Sequence, residues 1–481
     1  MNHALALPLP WRPALLPAAL AAALLGGLAV ALAGPPALAV ALGAALVLTI
    51  AVRPVLGPCL WLLLGPLIVG IARGEGAMVL RPNEALLLAI AAGIGLRLLW
   101  DRHRGLLRLP RPQPLDLPML ALAVAGSVLP LALRWGRGLP LSADDVLYAL
   151  VFVKYLILYV LFRLAVRTER EVAACLVLAL AAAAMVAVVG VLQVKNLAGV
   201  PALLDAYYDA PFTAPIGPVT ERGTSTIASP FGVADMMGIC LAIAIAWLLR
   251  GSRHRLPLLA GVGLYLAGCL AAGSFSGYIG AGVVALATGL VAGRLLKLLA
   301  AMVPTVLVAT VLFWPTVANR LEGFDSRMGL PRSWLGRVEN LERFVWPELF
   351  SGFNWLWGVR PSARIPAPEA WRDWVYIESG HAWLLWAGGV PLLLAFLVLS
   401  GVAASSLFRI AAGGRGPVAV AAAAGFAGTA MIFVLMLFDP HLTVRGCADL
   451  FFPMLALALV RHEGAESAAG GERCASATGW S

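Results

Sequence analysis

Glu378 and His381 lie where a polar segment meets a long apolar run, and they are the first candidates for acid–base chemistry. Ser379 between them predicts an N-cap, which would place His381 in the first turn of a helix. The amides of such a turn attract anions such as phosphate. Glu378 and His381 could then share a proton with an incoming hydroxyl. A capped helix with a histidine at the membrane interface explains the same residues equally well.

Arg222 is a second candidate, in the sequence Arg-Gly-Thr-Ser-Thr-Ile-Ala-Ser-Pro-Phe-Gly that leads into another apolar run. A guanidinium can hold a pyrophosphate through paired hydrogen bonds, so Arg222 is a candidate diphosphate ligand. Asp235 follows inside the apolar run. The ordinary alternatives are an arginine anchored at lipid headgroups and a partly hydrated aspartate near a helix end.

Arginines and tryptophans alternate in the polar segment between Asn319 and Ser379. Arginine binds phosphate, and tryptophan stacks on the faces of sugars. Arg337 and Arg360 are the preferred diphosphate ligands in this segment. An aromatic belt with ordinary loop charges is the alternative, and it is expected to explain some members of the set. The set comprises Arg320, Arg327, Arg332, Arg337, Arg343, Arg360, Arg364, Trp355, Trp357, Trp371 and Trp374.

Lys154 lies deep in an apolar run. A charged side chain is costly inside a membrane, so a functional role is the first hypothesis for this lysine. It could bind an anionic headgroup or pair with Asp235, and a purely structural ion pair is an equal alternative. His441 and Arg445 could also face the site, although an ordinary role in the last loop is favoured for both. The chain has no nucleotide-binding glycine loop, no paired-aspartate motif and no metal-type cysteine spacing, so no cofactor or metal is expected.

Other elements of the chain must position these residues, and the composition identifies those elements as membrane-spanning helices. The 481 residues are 61% hydrophobic and only 12% charged, with a mean hydropathy of +0.89. A soluble chain this apolar could not cover its surface with polar groups. Because strand-like alternation is absent, helices must satisfy the backbone hydrogen bonds, and the expected fold class is all-α. The net charge of +10 is attributed to cytoplasmic loops rather than to nucleic-acid binding.

Apolar runs predict about 14 transmembrane helices. Short arginine-rich loops alternate with loops of mixed charge, which places both termini in the cytoplasm by the positive-inside rule. The predicted spans begin near Ala14, Ala37, Val55, Ala85, Met119, Val146, Val172, Gly232, Leu256, Tyr278, Met302, His381, Val418 and Asp449.

The polar segment 319–379 becomes a large periplasmic loop in this topology. Apolar residues recur in it at helical spacing and predict an amphipathic helix that Pro347 kinks. These residues are Trp334, Val338, Leu341, Val345 and Leu349. The chain is therefore divided into N-terminal spans 1–200, central spans with a first periplasmic loop 201–318, the large loop 319–379, C-terminal spans 380–462 and a disordered cytoplasmic tail 463–481.

The chain resembles the bacterial O-antigen ligase and polysaccharide polymerase family over roughly residues 203–408. The similarity consists of many apolar spans, a late large outer loop, the Arg-Gly-Thr and Ser-Pro-Phe-Gly sequences before one span, and Glu-Ser-Gly-His with Leu-Leu-Trp-Ala-Gly-Gly-Val-Pro-Leu-Leu-Leu at another. It implies functional roles for Arg222, His381 and Arg337. The chain departs from the family where Ser-Pro-Phe replaces an Asn-Pro-Asn-like turn, Ser276-Gly277 replaces Ser-Arg, and Ala382 replaces a polar residue.

The resemblance implies a metal-independent, inverting glycosyltransferase of the bacterial inner membrane. Family members transfer glycan from undecaprenyl pyrophosphate, at the periplasmic face, to an acceptor hydroxyl. Arg222, with Arg337 or Arg360 and Lys154, is expected to bind the diphosphate, while His381 and Glu378 handle the acceptor.

Polymerisation of exopolysaccharide or O-antigen repeat units is the expected reaction, with ligation onto a lipid A core as the alternative. A polyprenyl-glycan flippase or transporter using Lys154 and Asp235, and a non-catalytic assembly scaffold, are alternatives of other classes. The expected partners are the lipid-linked oligosaccharide, an acceptor glycan, membrane lipids, a chain-length regulator and a flippase.

Overall fold

A computed structural model describes residues 35–71, 81–208, 222–322, 324, 332–367 and 373–460. Within these ranges nearly all regular structure is helical, and the named strands form a single two-stranded hairpin. The predicted all-α class is therefore confirmed. The span predicted near Ala14 and the tail predicted to be disordered lie outside the described residues.

The helices and strands are numbered along the chain. The longer helices are α1 (Pro35–Val52), α2 (Leu56–Ile68), α3 (Pro82–His103), α4 (Asp116–Gly136), α5 (Ala143–Ala165), α6 (Glu169–Val194), α8 (Pro230–Leu249), α9 (Arg255–Ala272), α10 (Phe275–Val291), α11 (Leu295–Leu312), α16 (Gly380–Gly413), α17 (Pro417–Leu435) and α18 (Ala448–Leu457). The shorter elements are α7 (Val200–Tyr207), α12 (Trp314–Glu322), α13 (Arg332–Asn340), α14 (Trp346–Leu349), α15 (Asn354–Trp357), β1 (Arg364–Pro366) and β2 (Trp374–Tyr376).

Nine helices in the described ranges are long and apolar enough to cross a membrane, namely α3, α4, α5, α6, α8, α9, α11, α16 and α17. Four further apolar helical stretches are shorter, namely Val40–Val52 within α1, and helices α2, α10 and α18. The chain is thus a multi-pass membrane protein by helix length and composition. The figure of about 14 spans and the orientation across the membrane stay predictions.

Helix α8 forms the centre of the bundle, and its side chains are buried along almost its whole length. It packs against α6, α9, α10 and α17. Glycines permit the close approach: a Cβ on Gly238 would lie 2.7 Å from the Met431 sulfur, and a Cβ on Gly232 would lie 2.2 Å from the Arg445 carbonyl oxygen. Small residues at such contacts are the usual basis of helix association in membranes. The first turn of α8 is therefore held firmly by its neighbours.

Helix α16 changes direction at Gly389, whose φ of +66° is readily adopted only by glycine. A Cβ at this position would lie 2.2 Å from the Leu356 carbonyl oxygen of α15. The amide of Val359 donates a hydrogen bond of 2.7 Å to the Trp386 carbonyl, just before the kink. The kink thereby fastens the loop containing α15 to the first half of α16.

The predicted amphipathic helix is present as α13 and α14, joined by a π-helical turn over Leu341–Val345. The side chains of Val345 and Leu349 are fully buried, whereas Val338 is 53% exposed. Proline cannot donate the helical hydrogen bond, and its ring displaces the carbonyl four residues earlier. The predicted distortion at Pro347 therefore takes the form of the wider turn that immediately precedes it.

Candidate functional site

A cavity of about 460 Å³ lies where several helix ends meet the described loops. Its volume is within the usual range for small-molecule sites. The lining contains four arginines and two acids, a formal net charge of +2, together with several aromatic rings. The lining residues are Tyr148, Arg222, Ser229, Phe231, Gly273, Ser274, Phe275, Ser276, Trp334, Arg337, Ala363, Arg364, Tyr376, Ile377, Glu378, Trp383, Asp439, Pro440, Thr443, Val444 and Arg445.

Three long helices begin at or beside this cavity, and each starts with a serine N-cap. The hydroxyls of Ser229, Ser274 and Ser379 accept hydrogen bonds from the amide three residues later, at 3.2, 3.5 and 3.4 Å, at the starts of α8, α10 and α16. Each helix start has amides without intrahelical partners and the positive end of the helix dipole. Three such ends around one cavity favour an anionic ligand.

Arg222 lines the cavity next to the start of α8, and its role as a diphosphate ligand stays a prediction. Its Nε donates a hydrogen bond of 3.4 Å to the Ala272 carbonyl, and its guanidinium lies 5.1 Å from the centre of the Phe231 ring. The neighbouring amide of Gly223 donates to the Ala271 carbonyl at 2.8 Å. These contacts fix the backbone around Arg222 against the end of α9. The guanidinium then lies beside Phe231, in the first turn of α8.

Arg337 joins two carboxylates on the cavity wall. Its Nη2 lies 2.9 Å from Oδ2 of Asp439, and its Nε lies 3.5 Å from Oε1 of Glu378. The Trp334 ring, one turn earlier in α13, packs 5.0 Å from the ring of Phe438 and so holds the helix in place. Burial raises the pKa of Glu378, with Arg337 opposing and Asp439 adding to the shift. Burial likewise raises the pKa of Asp439, against the pull of Arg337.

His441 and Asp235 form a buried pair directly behind the cavity wall. The Nδ1 atom of His441 lies 2.6 Å from Oδ2 of Asp235, and both side chains are 0% exposed. Nε2 of His441 and Oδ1 of Asp235 have no hydrogen-bond partner in the described part of the chain. Burial opposes the charge on His441, but the carboxylates of Asp235 and Asp439 outweigh it and raise the pKa of the imidazole. The pair ties the loop bearing Asp439 to the central helix α8.

Arg360 lies off the cavity lining and is used to hold the loop. Its Nε lies 2.9 Å from Oδ1 of the buried Asp145, and its Nη2 donates to Ser142 Oγ at 3.2 Å. The amide of Ser362 also donates to Asp145 Oδ1, at 3.3 Å. These contacts hold the residues that precede β1 against the first turn of α5. The diphosphate-binding role predicted for Arg360 is not supported by this placement.

Lys154 is also away from the cavity lining. Its Nζ lies 2.8 Å from Oδ1 of Asp449 and 5.7 Å from the centre of the Trp61 ring. Trp61 in turn donates a hydrogen bond of 2.9 Å to the Asp449 backbone carbonyl. The predicted pairing of Lys154 with Asp235 is therefore wrong, because each has a different partner. The structural ion pair, one of the two alternatives for Lys154, describes what is observed.

His381 does not line the cavity. Its ring packs against Phe396 and Phe433, with centroids 5.8 and 5.9 Å away, and its amide donates to the Met436 carbonyl at 3.2 Å. Successive helical residues are rotated by about 100°. Trp383, two positions later, faces the cavity. The predicted helix cap is present, and the catalytic role predicted for His381 stays a prediction without support from its position.

Asp439 is the main residue of the cavity that the sequence did not single out. Its only local signal is its position, since it directly follows an apolar helix and precedes Pro440. The contact with Arg337 spans 102 positions in the chain, so no local pattern reveals it. Among the described residues, no group of three or more His, Cys, Asp or Glu side chains could hold a metal ion.

No protein-family model, curated protein or solved structure matches this chain. The resemblance to the O-antigen ligase and polymerase family therefore stays a prediction, and the cavity is the basis for any functional conclusion.

Proposed function

We propose that this protein is a membrane glycosyltransferase that moves glycan from undecaprenyl pyrophosphate to an acceptor hydroxyl and so polymerises exopolysaccharide or O-antigen repeat units. The observation that supports this most is the shared cavity of Arg222, Arg337 and Glu378, three residues predicted from two separate segments of the sequence. Transfer from a diphosphate requires cations for the leaving group and a base for the acceptor. The cavity offers both kinds of group.

The diphosphate is proposed to bind near Arg222, where the starts of α8 and α10 add main-chain amides. Arg445 lines the same cavity and adds a second cation. Arg337 is reassigned: because it already contacts Glu378 and Asp439, its proposed role is to position these carboxylates. The cationic end of the cavity would neutralise the charge that develops as the diphosphate leaves.

Glu378 is the proposed general base, because its raised pKa suits a group that must accept a proton. Its carboxylate takes the proton of the acceptor hydroxyl while that oxygen attacks the anomeric carbon. The bond between the anomeric carbon and the phosphate oxygen breaks, and undecaprenyl pyrophosphate leaves with the electron pair. One direct displacement of this kind inverts the anomeric configuration. The proposed reaction requires no metal or organic cofactor.

The proposed location is the periplasmic face of the bacterial inner membrane, with both termini cytoplasmic. A polyprenyl carrier is already in the bilayer and brings its own leaving group, so no nucleotide is needed on that side. A cavity at the ends of membrane-embedded helices suits a substrate whose lipid tail remains in the membrane.

The test is glycan polymerisation by the purified protein in proteoliposomes that contain lipid-linked repeat units from its own host. Arg222→Gln and Glu378→Gln should each lower the rate by roughly 100-fold or more, as expected when charge stabilisation or proton transfer is lost. The matched controls are Arg343→Gln and Glu342→Gln, which change the same residue types at exposed positions of α13–α14. Full activity of both cavity variants, at normal protein levels, would refute the proposal.

The acceptor decides between polymerase and ligase. Supplying a lipid A core alongside the lipid-linked repeats would give a core-linked product only with a ligase. A flippase would move labelled lipid across the bilayer without forming glycosidic bonds. The placement of Lys154 and Asp235 gives that alternative no added support, because both are engaged in separate pairs and Asp235 is fully buried.

A further inference from the structure

A second polar cluster occupies the part of the cavity formed by the hairpin and α5. Arg364 lies opposite Tyr376 in the β1–β2 ladder, which puts both side chains on the same face. Tyr376, and Tyr148 from α5, are electrostatic partners of the Arg364 guanidinium. All three residues line the cavity. We call this group the tyrosine–arginine cluster.

The tyrosine–arginine cluster has different electrostatic partners from the group around Arg337. The strongest electrostatic partners of Arg364 are the two tyrosines and Asp144. Those of Asp439 include Arg337 and Arg222 and none of the members of the tyrosine–arginine cluster. Both groups line the same cavity, so a ligand that fills it would contact both.

Arg364 keeps donor capacity for a ligand. Its Nη1 lies 3.7 Å from Oδ1 of Asp144, which is too long for a hydrogen bond. Oδ2 of Asp144 accepts a hydrogen bond of 2.7 Å from Ser362 instead. Nε of Arg364 has no hydrogen-bond partner within the described ranges, and the side chain is 37% exposed. Asp144 offsets part of the charge, which suits a singly charged ligand better than a diphosphate.

We propose that the tyrosine–arginine cluster is a subsite for the carboxylate of an acidic sugar, such as a uronic acid, in the transferred or accepting glycan. The guanidinium fork matches the two oxygens of a carboxylate, and the hydroxyl of Tyr148 can donate a further hydrogen bond. Aromatic side chains of the cavity lining, such as Trp383, supply faces for the sugar. The inference rests on the proposed function, because it takes the ligand of this cavity to be a glycan.

The test uses three soluble probes, glucuronate, glucose and pyrophosphate, with ligand-observed saturation-transfer NMR on the purified full chain. Glucuronate should bind more tightly than glucose, and Arg364→Gln should weaken glucuronate about tenfold while leaving glucose unchanged. Tyr148→Phe, which removes only a hydroxyl, should also weaken glucuronate binding. Because this change is small, it tests the subsite even if Arg364→Gln misfolds. Arg343→Gln, at an exposed position, is the control and should have no effect.

Pyrophosphate separates this inference from the proposed function. It should lose affinity with Arg222→Gln and keep it with Arg364→Gln. Equal binding of glucuronate and glucose, or glucuronate binding that survives both Arg364→Gln and Tyr148→Phe, would overturn the acidic-sugar subsite. Loss of pyrophosphate binding with Arg364→Gln would also overturn it, by making the cluster part of the diphosphate site. If pyrophosphate binds neither the wild type nor any variant while glucuronate behaves as expected, the result contradicts the diphosphate donor of the proposed function and supports the acidic-sugar subsite.

Discussion

Replacing His441 by alanine should destabilise the protein by about 3–5 kcal/mol, the usual effect of removing one partner of a buried ion pair. Both side chains of the His441–Asp235 pair are 0% exposed, and Oδ1 of Asp235 already has no partner in the described residues. The substitution would leave the Asp235 carboxylate buried without its hydrogen bond of 2.6 Å. Because a buried carboxylate without its partner is costly, the loss is expected within this range.

The measurement is a double-mutant cycle of His441→Ala and Asp235→Asn, read from reversible unfolding in mixed detergent micelles. The double variant should be less destabilised than the sum of the single variants, because residues in one network are coupled by about 0.5–3 kcal/mol. His103→Ala, at an exposed position at the end of α3, is the control. A loss below about 1 kcal/mol for His441→Ala, or strict additivity in the cycle, would refute this account of the pair.

The same pair predicts a direction of pH dependence. The pKa of His441 is raised by its carboxylate neighbours against the effect of burial. Its contribution to stability is therefore complete below the unfolded value of about 6.5 and is lost as pH rises through the higher folded value. The free energy of unfolding should fall over that window in the wild type, and Asp235→Asn should flatten the fall. A wild-type stability that rises across this window would contradict the expected sign.

Three further predictions concern other described contacts. Lys154→Met should cost about 3 kcal/mol by leaving the Asp449 carboxylate unpaired, as measured by unfolding in micelles, and Lys154→Met with Asp449→Leu should recover most of the loss. Gly389→Ala should cost about 1–3 kcal/mol because φ is positive there and the added Cβ would meet backbone. The control Gly401→Ala has open space around the added Cβ and should be neutral or stabilising when unfolding in micelles is measured in the same way. The glycan transfer rate should fall as pH drops through the pKa of Glu378, which is raised above the ordinary value of about 4.3. Glu378→Gln should remove this fall in rate at low pH. A variant whose pH–rate profile keeps the same fall would exclude Glu378 as the base.

Local sequence predicted the features that depend on local chemistry. Apolar runs of sufficient length predicted the helices, and a serine before such a run predicted the cap at Ser379. Arg222 and Glu378 were found for the same reason, since each lies just before a helix that begins at the cavity. These signals depend on neighbours in the chain and require no knowledge of how the helices pack.

Partners distant in sequence could not be predicted. Lys154 and Asp449 are separated by 295 positions, and the pairing depends on which helices are neighbours in the bundle. Asp235 pairs with His441 across 206 positions for the same reason. The placement of His381 depends on a rotation of one or two helical residues, which a capping pattern does not fix. An uncertainty of two residues, a rotation of about 200°, is enough to move a side chain from the cavity to the opposite face.

Because α8, α10 and α16 start at or beside the cavity, main-chain dipoles add to the attraction that the lining arginines exert on anions. Substitution of the surrounding residues leaves this backbone field in place. Other side chains of the cavity lining could therefore be exchanged while this backbone contribution is retained. Under the proposed function, a change of sugar would then require substitutions in the lining and none at the helix starts.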